Sequence, residues 1–254
     1  VQRDPRELGG AWTRYQTHDF PMPAPDLAPF VLDYWHVSWT YDTPYRQKVP
    51  PSPHVHVTIR PGRPPEVHGV SRRHGTRLLD GTGRVLGARF RPGAFRSFLQ
   101  APVSGLTDRT VPTCDVPGLP GRPVEPVDVA SFEQWLRSVL PSAEPPAAGR
   151  QADAAVTLAA TDPAIRRVDQ LADALDAGVR RVQRLFAEHV GVGPKWIIRW
   201  FRLQEVTDRM AAGETQDWAA LAADLGYADQ PHLVRDFTDL FGEPPTHYVR
   251  RYPR

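Results

Sequence analysis

The 254 residues carry 31 Lys+Arg against 29 Asp+Glu, a formal net charge of +2, so overall electrostatics do not announce a polyanionic partner. At 41% hydrophobic residues the chain can bury a real core, which excludes wholesale disorder, and one cysteine, Cys114, excludes an internal disulfide or a cysteine-rich zinc site. Cys114 reads as an inert thiol, with redox sensing as the alternative. No apolar run approaches the roughly 20 residues of a bilayer span, and VQRDPRELGG is too polar for a secretory leader, so the expected location is cytoplasmic.

In chain order, short β-prone runs punctuated by Pro and Gly come first: Phe30 to Tyr41, Val55 to Arg60, Arg84 to Phe90 and Leu106 to Val111. Their spacing predicts an antiparallel sandwich or small barrel. Phe132, Trp135, Leu136 and Val139 recur at helical spacing and predict a helix over Ser131 to Leu140. PSAEPPAAG, Pro141 to Gly149, has linker composition. Beyond it the strand signal ends and every segment reads as helix. The expected organisation is α+β with two domains, 1–145 and 146–254.

Two helix-turn-helix units are predicted in the second half, over about 168–190 and 217–241. In the first, Val168, Leu171, Ala172 and Leu175 form the stripe of a supporting helix, and Asp176-Ala177-Gly178 turns the chain. Val182, Leu185, Phe186 and Val190 then pack the next helix. In the second, Trp218, Leu221, Ala222 and Leu225 support, Gly226 ends the helix, and Asp229 caps a helix whose Leu233, Phe237, Leu240 and Phe241 face inward. The outward residues are Arg180, Gln183 and Arg184, with Arg181 beside them, and Gln230, His232 and Arg235. Arg matches guanine and Gln matches adenine in bidentate base contacts. The alternative makes them solvated residues, with Arg235 paired to Asp239. Between the units, Pro194 to Ala212 reads as one helix closed by Gly213; its Arg199 and Arg202 are either phosphate contacts or a solvated face. Residues 161–254 hold 13 Arg/Lys against 14 Asp/Glu, so DNA affinity would have to come from locally clustered arginines.

LADALDAGVRRVQRLFAEHVGVGPKWIIRWFRL followed by LAADLGYADQPHLVRDFTDLFGEPPTHYVRRY resembles the DNA-binding domain of AraC/XylS-type transcription regulators. The resemblance implies two helix-turn-helix units on a central helix, reading successive major grooves through Arg180, Gln183, Arg184, Gln230, His232 and Arg235. Where that family commonly has Gly-Val-Ser at the first turn, this chain has Asp176-Ala177-Gly178 and loses a serine cap. LAPFVLDYW, VLGARFRPGAF and LTD are similar to a cupin-like sensor domain of unassigned ligand, although VPPSPHVHV stands where a Pro-Asp-Gly turn is usual. The partners so implied are double-stranded DNA, a small-molecule effector, RNA polymerase and a second copy of the chain, with no membrane and no cofactor.

His54 and His56 lie two apart, which on a strand puts them on one face, and with His36, His68 or His74 they would be metal-ligand candidates. No carboxylate accompanies them at a suitable spacing, so no metal is expected. Trp35, Trp39, Tyr41, Tyr45, Phe90, Phe95 and Phe98 line either a small-molecule pocket or the core. No nucleophile elbow, phosphate loop or paired-glycine fingerprint is present, so no enzyme activity is expected. The rival reading is a cupin-type metal protein or enzyme whose helical half binds another protein.

Overall fold

The computed structural model describes residues 4–214 and 217–252. Six strands form one antiparallel sheet in the order β1-β2-β5-β3-β4-β6: β1 Gln16–Asp19, β2 Val31–Val49, β3 His56–Arg60, β4 Arg63–His68, β5 Gly75–Phe90 and β6 Thr110–Pro112. Helices follow: α1 Arg96–Leu99, α2 Val129–Arg137, α3 Ala147–Thr161, α4 Val168–Ala174, α5 Val179–His189, α6 Pro194–Ala211, α7 Trp218–Asp224, α8 Gln230–Phe241 and α9 Pro245–Tyr248. An antiparallel sheet followed by a helical half is the expected class. No described helix is long and apolar enough to cross a membrane.

Several strand readings need correction. β2 does not stop at Tyr41: its register with β5 shifts between Tyr41 and Tyr45, and pairing resumes as far as Val49↔Gly75. A bulge thus carries the strand through Thr43-Pro44, which local propensity reads as its end. β4, RPPEVH, escapes a propensity reading because of its two prolines. β6 pairs only Glu66, Val67 and His68, so Pro64 and Pro65 need no donor on that side. Leu106 to Val111 is mostly not strand. Val103–Leu106 is a 3-10 turn, Asp108 is left-handed at φ 59°, and the strand begins at Thr110.

Pro141 to Gly149 is not a linker throughout, because Gly149 is already inside α3 and buried. Its backbone rests on that of Gly93, where a Cβ on Gly149 would stand 2.6 Å from the Gly93 carbonyl oxygen. Gly93 N–H in turn donates to the His189 carbonyl at the end of α5. One hydrophobic cluster therefore runs from Phe30, Phe90, Phe95 and Phe98 through Phe132, Ala152 and Val156 to Phe186 and Ile197. A second cluster holds Leu203, Val206, Met210, Leu221, Leu233 and Phe237.

Packing and hydrogen bonds engage His54, His56 and His68 and several of the aromatics of the first half. His54 precedes β3 rather than sharing a strand face with His56, and its Nδ1 meets the Phe90 carbonyl at 3.2 Å. Trp35 Nε1–H donates to His56 Nδ1 at 3.0 Å, and His56 Nε2 lies 2.8 Å from Ser52 Oγ. With Nδ1 accepting, Nε2–H must donate to Ser52, so the one lone pair a metal would need is in use. Burial pushes the His54 pKa down to about 3 and that of His68 to about 4, and holds His56 well below the usual range. Phe90, Phe95 and Phe98 are core, and Tyr41 and Tyr45 stack on each other under the Arg6 guanidinium.

Candidate nucleic-acid interface

The second helix-turn-helix is built by local chemistry. Asp217 Oδ1 accepts the Ala219 and Ala220 N–H groups and starts α7. Gly226, at φ 69°, ends it, with Tyr227 N–H returning to the Ala222 carbonyl at 2.8 Å and Gly226 N–H to that of Ala223. That is the Schellman closure of a helix C-terminus. Asp229 Oδ1 then accepts the His232 N–H at 2.7 Å and opens α8, with Pro231 in the first turn, where no donor is needed. Leu233, Phe237, Leu240 and Phe241 are each at most 2% exposed, so the opposite face of α8 must point outward.

The first unit repeats this with two substitutions. Ala177 N–H returns to Ala172 and Asp176 N–H to Asp173, the same closure, but the left-handed position belongs to Asp176 at φ 47° rather than to a glycine. Asp tolerates that region at a cost that Gly escapes. Gly178 occupies the N-cap of α5 without a side-chain hydrogen bond. At the start of α4, Gln170 Oε1 accepts both the Arg166 and Arg167 N–H groups at 2.9 Å.

All six candidates lie on exposed positions of the two second helices: Arg180, Gln183 and Arg184 on α5, and Gln230, His232 and Arg235 on α8. Arg181 is exposed beside the first set. The Arg235–Asp239 pairing is absent; Asp239 instead accepts Arg199 Nη2 at 2.9 Å and lies 3.9 Å from Arg73. The His232 ring stands edge-on to Tyr227 at 5.2 Å, which orients it. Glu188, at the far end of α5, lies 3.8 Å from Arg96.

Charge is distributed unevenly over the surface of this half, although its count stays at 13 Arg/Lys against 14 Asp/Glu. Asp236 and Asp239 are turned to Arg199, Asp169 to Arg167 and Glu243 to Arg251, while Arg180, Arg181, Arg184 and Arg235 have no ion pair among the described residues. These acids are engaged by arginines off the outward faces of α5 and α8, and the outward arginines are left free for phosphate or base.

α6 joins the units. Its 18 residues span about 27 Å at 1.5 Å per residue. Ile197 and Ile198 belong to the first core, Leu203, Val206 and Met210 to the second, and Trp196 packs against both. Arg199 and Arg202 of α6 are half-buried and make contacts within the protein. Arg199 is tied to Asp236 and Asp239, and Arg202 lies over the Tyr227 ring at 4.3 Å, so both fasten α6 to the second unit.

The sheet also grips the second unit, through contacts between residues too far apart in sequence to be foreseen. Trp200 Nε1–H donates to the Pro51 carbonyl at 3.1 Å, and His74 N–H to that of Leu240 at 3.1 Å. Arg251 meets both Glu7 and Glu243, while Gly9 and Gly10 N–H groups donate to the Arg250 and Arg251 carbonyls.

Residues 171–251 match the family described as a helix-turn-helix domain, and residues 20–112 match a domain of unknown function (DUF6597). No curated protein matches the chain. A transcriptional regulator from Chromobacterium violaceum, with an AraC-type DNA-binding domain, is similar over 40% of this chain and 92% of its own (19% identity, TM-score 0.37). A probable AraC-family regulator from Rhodopseudomonas palustris covers 42% and 98% (23% identity, TM-score 0.35). ToxT from Vibrio cholerae covers 94% and 100% (10% identity, TM-score 0.45). The paired helix-turn-helix units and the matched domain define a DNA-binding transcription regulator. That helix-turn-helix domain lies C-terminal to the separately matched domain of residues 20–112.

Proposed function

We propose that this protein reads duplex DNA sequence-specifically with both units, α5 and α8 entering successive major grooves on one side of the helix. Grooves on one side recur about every 34 Å, and the roughly 27 Å of α6 plus the width of its flanking helices matches that interval. Arg180, Gln183, Arg184, Gln230, His232 and Arg235 are the base and backbone contacts in this reading. The observation that carries it is the set of exposed arginines on the outward faces of α5 and α8, which have no ion pair among the described residues, while Asp236 and Asp239 of α8 are held by Arg199. Selection of bound sequences from a random duplex pool tests it. A motif with two half-sites is expected, and Arg235→Ala should relax one base position at a cost of about 1–3 kcal/mol. A pool with no enriched motif refutes the proposal.

The division into a regulatory part over 1–145 and a DNA-binding part over 146–254, acting in the cytoplasm without enzymatic activity, belongs to the same reading. A small-molecule effector bound in the N-terminal part belongs to the same reading, and the open groove lined by Arg96, Ser97, Gln100, Pro146, Glu188 and His189 is one place to seek it. Its lining suits a small polar molecule, and thermal-shift screening, with Arg96→Ala abolishing any hit, tests it. RNA polymerase and a second copy of the chain are the protein partners that this reading entails. Sedimentation with and without operator DNA addresses the second.

A further inference from the structure

Arg166 is a side chain that bridges the two reading units. It stands immediately before α4, the supporting helix of the first unit, and reaches 58 residues along the chain to the end of α7, the supporting helix of the second. Arg166 Nη2 donates to the Asp224 carbonyl at 3.1 Å, while its Nε donates to Pro163 O at 3.3 Å and its backbone N–H to Gln170 Oε1 at 2.9 Å. Asp224 is the last residue of α7, where carbonyls lack intrahelical partners and the helix dipole is negative, so a guanidinium fits there on both counts. Arg209, from the end of α6, closes on the Asp224 carboxylate from 3.6 Å. Gly226 gives the contact room: any Cβ there would stand 2.7 Å from Arg166 Nη1 and 2.9 Å from its Cδ. Asp224 to Gly226 is also the turn from which α8 departs, so whatever holds that turn aims the second reading helix.

We infer that Arg166 is a positioning residue, a strut between the two units that sets the half-site spacing the protein accepts. The inference rests on the two-unit reading proposed above. The units have separate hydrophobic cores and share α6 as their covalent bridge. A single helix can bend and twist along its length; the sheet contacts at Pro51 and His74 restrain the second unit at α6 and at the end of α8, and Arg166 adds an attachment at the turn from which α8 departs. Each base pair added between half-sites rotates the second by roughly 34–36° and moves it about 3.4 Å. A joint that resists this motion converts spacing into affinity.

The test uses the full chain and duplexes carrying the selected motif, with one base pair inserted or removed between half-sites. The wild type should lose at least tenfold in affinity on either change. Arg166→Ala should shrink that ratio at least threefold, Arg166→Lys should restore part of it by reaching the Asp224 carbonyl, and the salt slope should stay the same. An equal loss at every spacing, with the salt slope lower by about one, would identify a phosphate contact and overturn the strut. An unchanged spacing ratio in Arg166→Ala overturns it too, and assigns the aim of the second unit to the sheet contacts at Pro51 and His74. A wild type indifferent to spacing would sink the two-unit reading itself, and the strut with it.

Discussion

Gly149→Ala separates a packed junction from a flexible one by the sign of its effect. Gly149 is the third residue of α3, and Ala in place of Gly in a helix gains up to about 1 kcal/mol. Were Pro141 to Gly149 a solvated tether, the variant would be neutral or more stable. In the folded protein the new Cβ would stand 2.6 Å from the Gly93 carbonyl oxygen and 3.6 Å from Pro145 Cβ. The first contact is short of van der Waals distance by about 0.6 Å or more, and the obstructing atom is backbone. Gly93 cannot easily retreat, because its φ is 87° and its N–H is bonded to the His189 carbonyl. Overpacking of this kind costs about 1–3 kcal/mol, which exceeds the propensity gain and leaves a net loss of about 1 kcal/mol. Urea unfolding followed by tryptophan fluorescence reads the change as a shift in midpoint at constant slope. A raised midpoint would refute the close packing of α3 on the sheet half and restore the tether.

The two N-caps should respond in opposite directions. Asp229→Ala removes the carboxylate that accepts His232 N–H and should cost about 1 kcal/mol, or roughly 2–4 °C of melting temperature. Gly178→Ser faces open space at its Cβ and should add a few tenths of a kcal/mol, and a melting temperature that falls would show that the first turn is not shaped for a cap. Buried His54 predicts acid sensitivity. Its folded pKa, about 3, lies below the unfolded value of about 6.5, so the unfolded chain binds the proton first and stability falls as pH drops from 6.5 toward 3. Between pH 7.5 and 5 this single group removes about 2 kcal/mol, and a His54→Gln variant that keeps the full pH dependence would refute the assignment.

The two reading units were legible in the sequence because short-range chemistry builds them. Gly226 and Asp229 lie within a few residues of the helices they end and begin, and the 3.6-residue stripe of Leu233, Phe237, Leu240 and Phe241 alone fixes which face of α8 turns outward. Pro194 and Gly213 likewise bracket α6 from its own sequence. What tertiary structure decided lies in pairs far apart along the chain. Propensity could not find β4, whose prolines are tolerated only because β6 pairs its other end. Nor could it end β2, whose bulge is held by β5. Composition made Pro141 to Gly149 a tether, but Gly93 makes its last residue a packed one. The sequence offered Asp239 to Arg235 as the alternative to base reading, and only the folded chain gives Asp236 and Asp239 to Arg199 instead. Local patterns determine which helices form and which faces they bury; which charges are consumed within the fold depends on partners that only folding brings together.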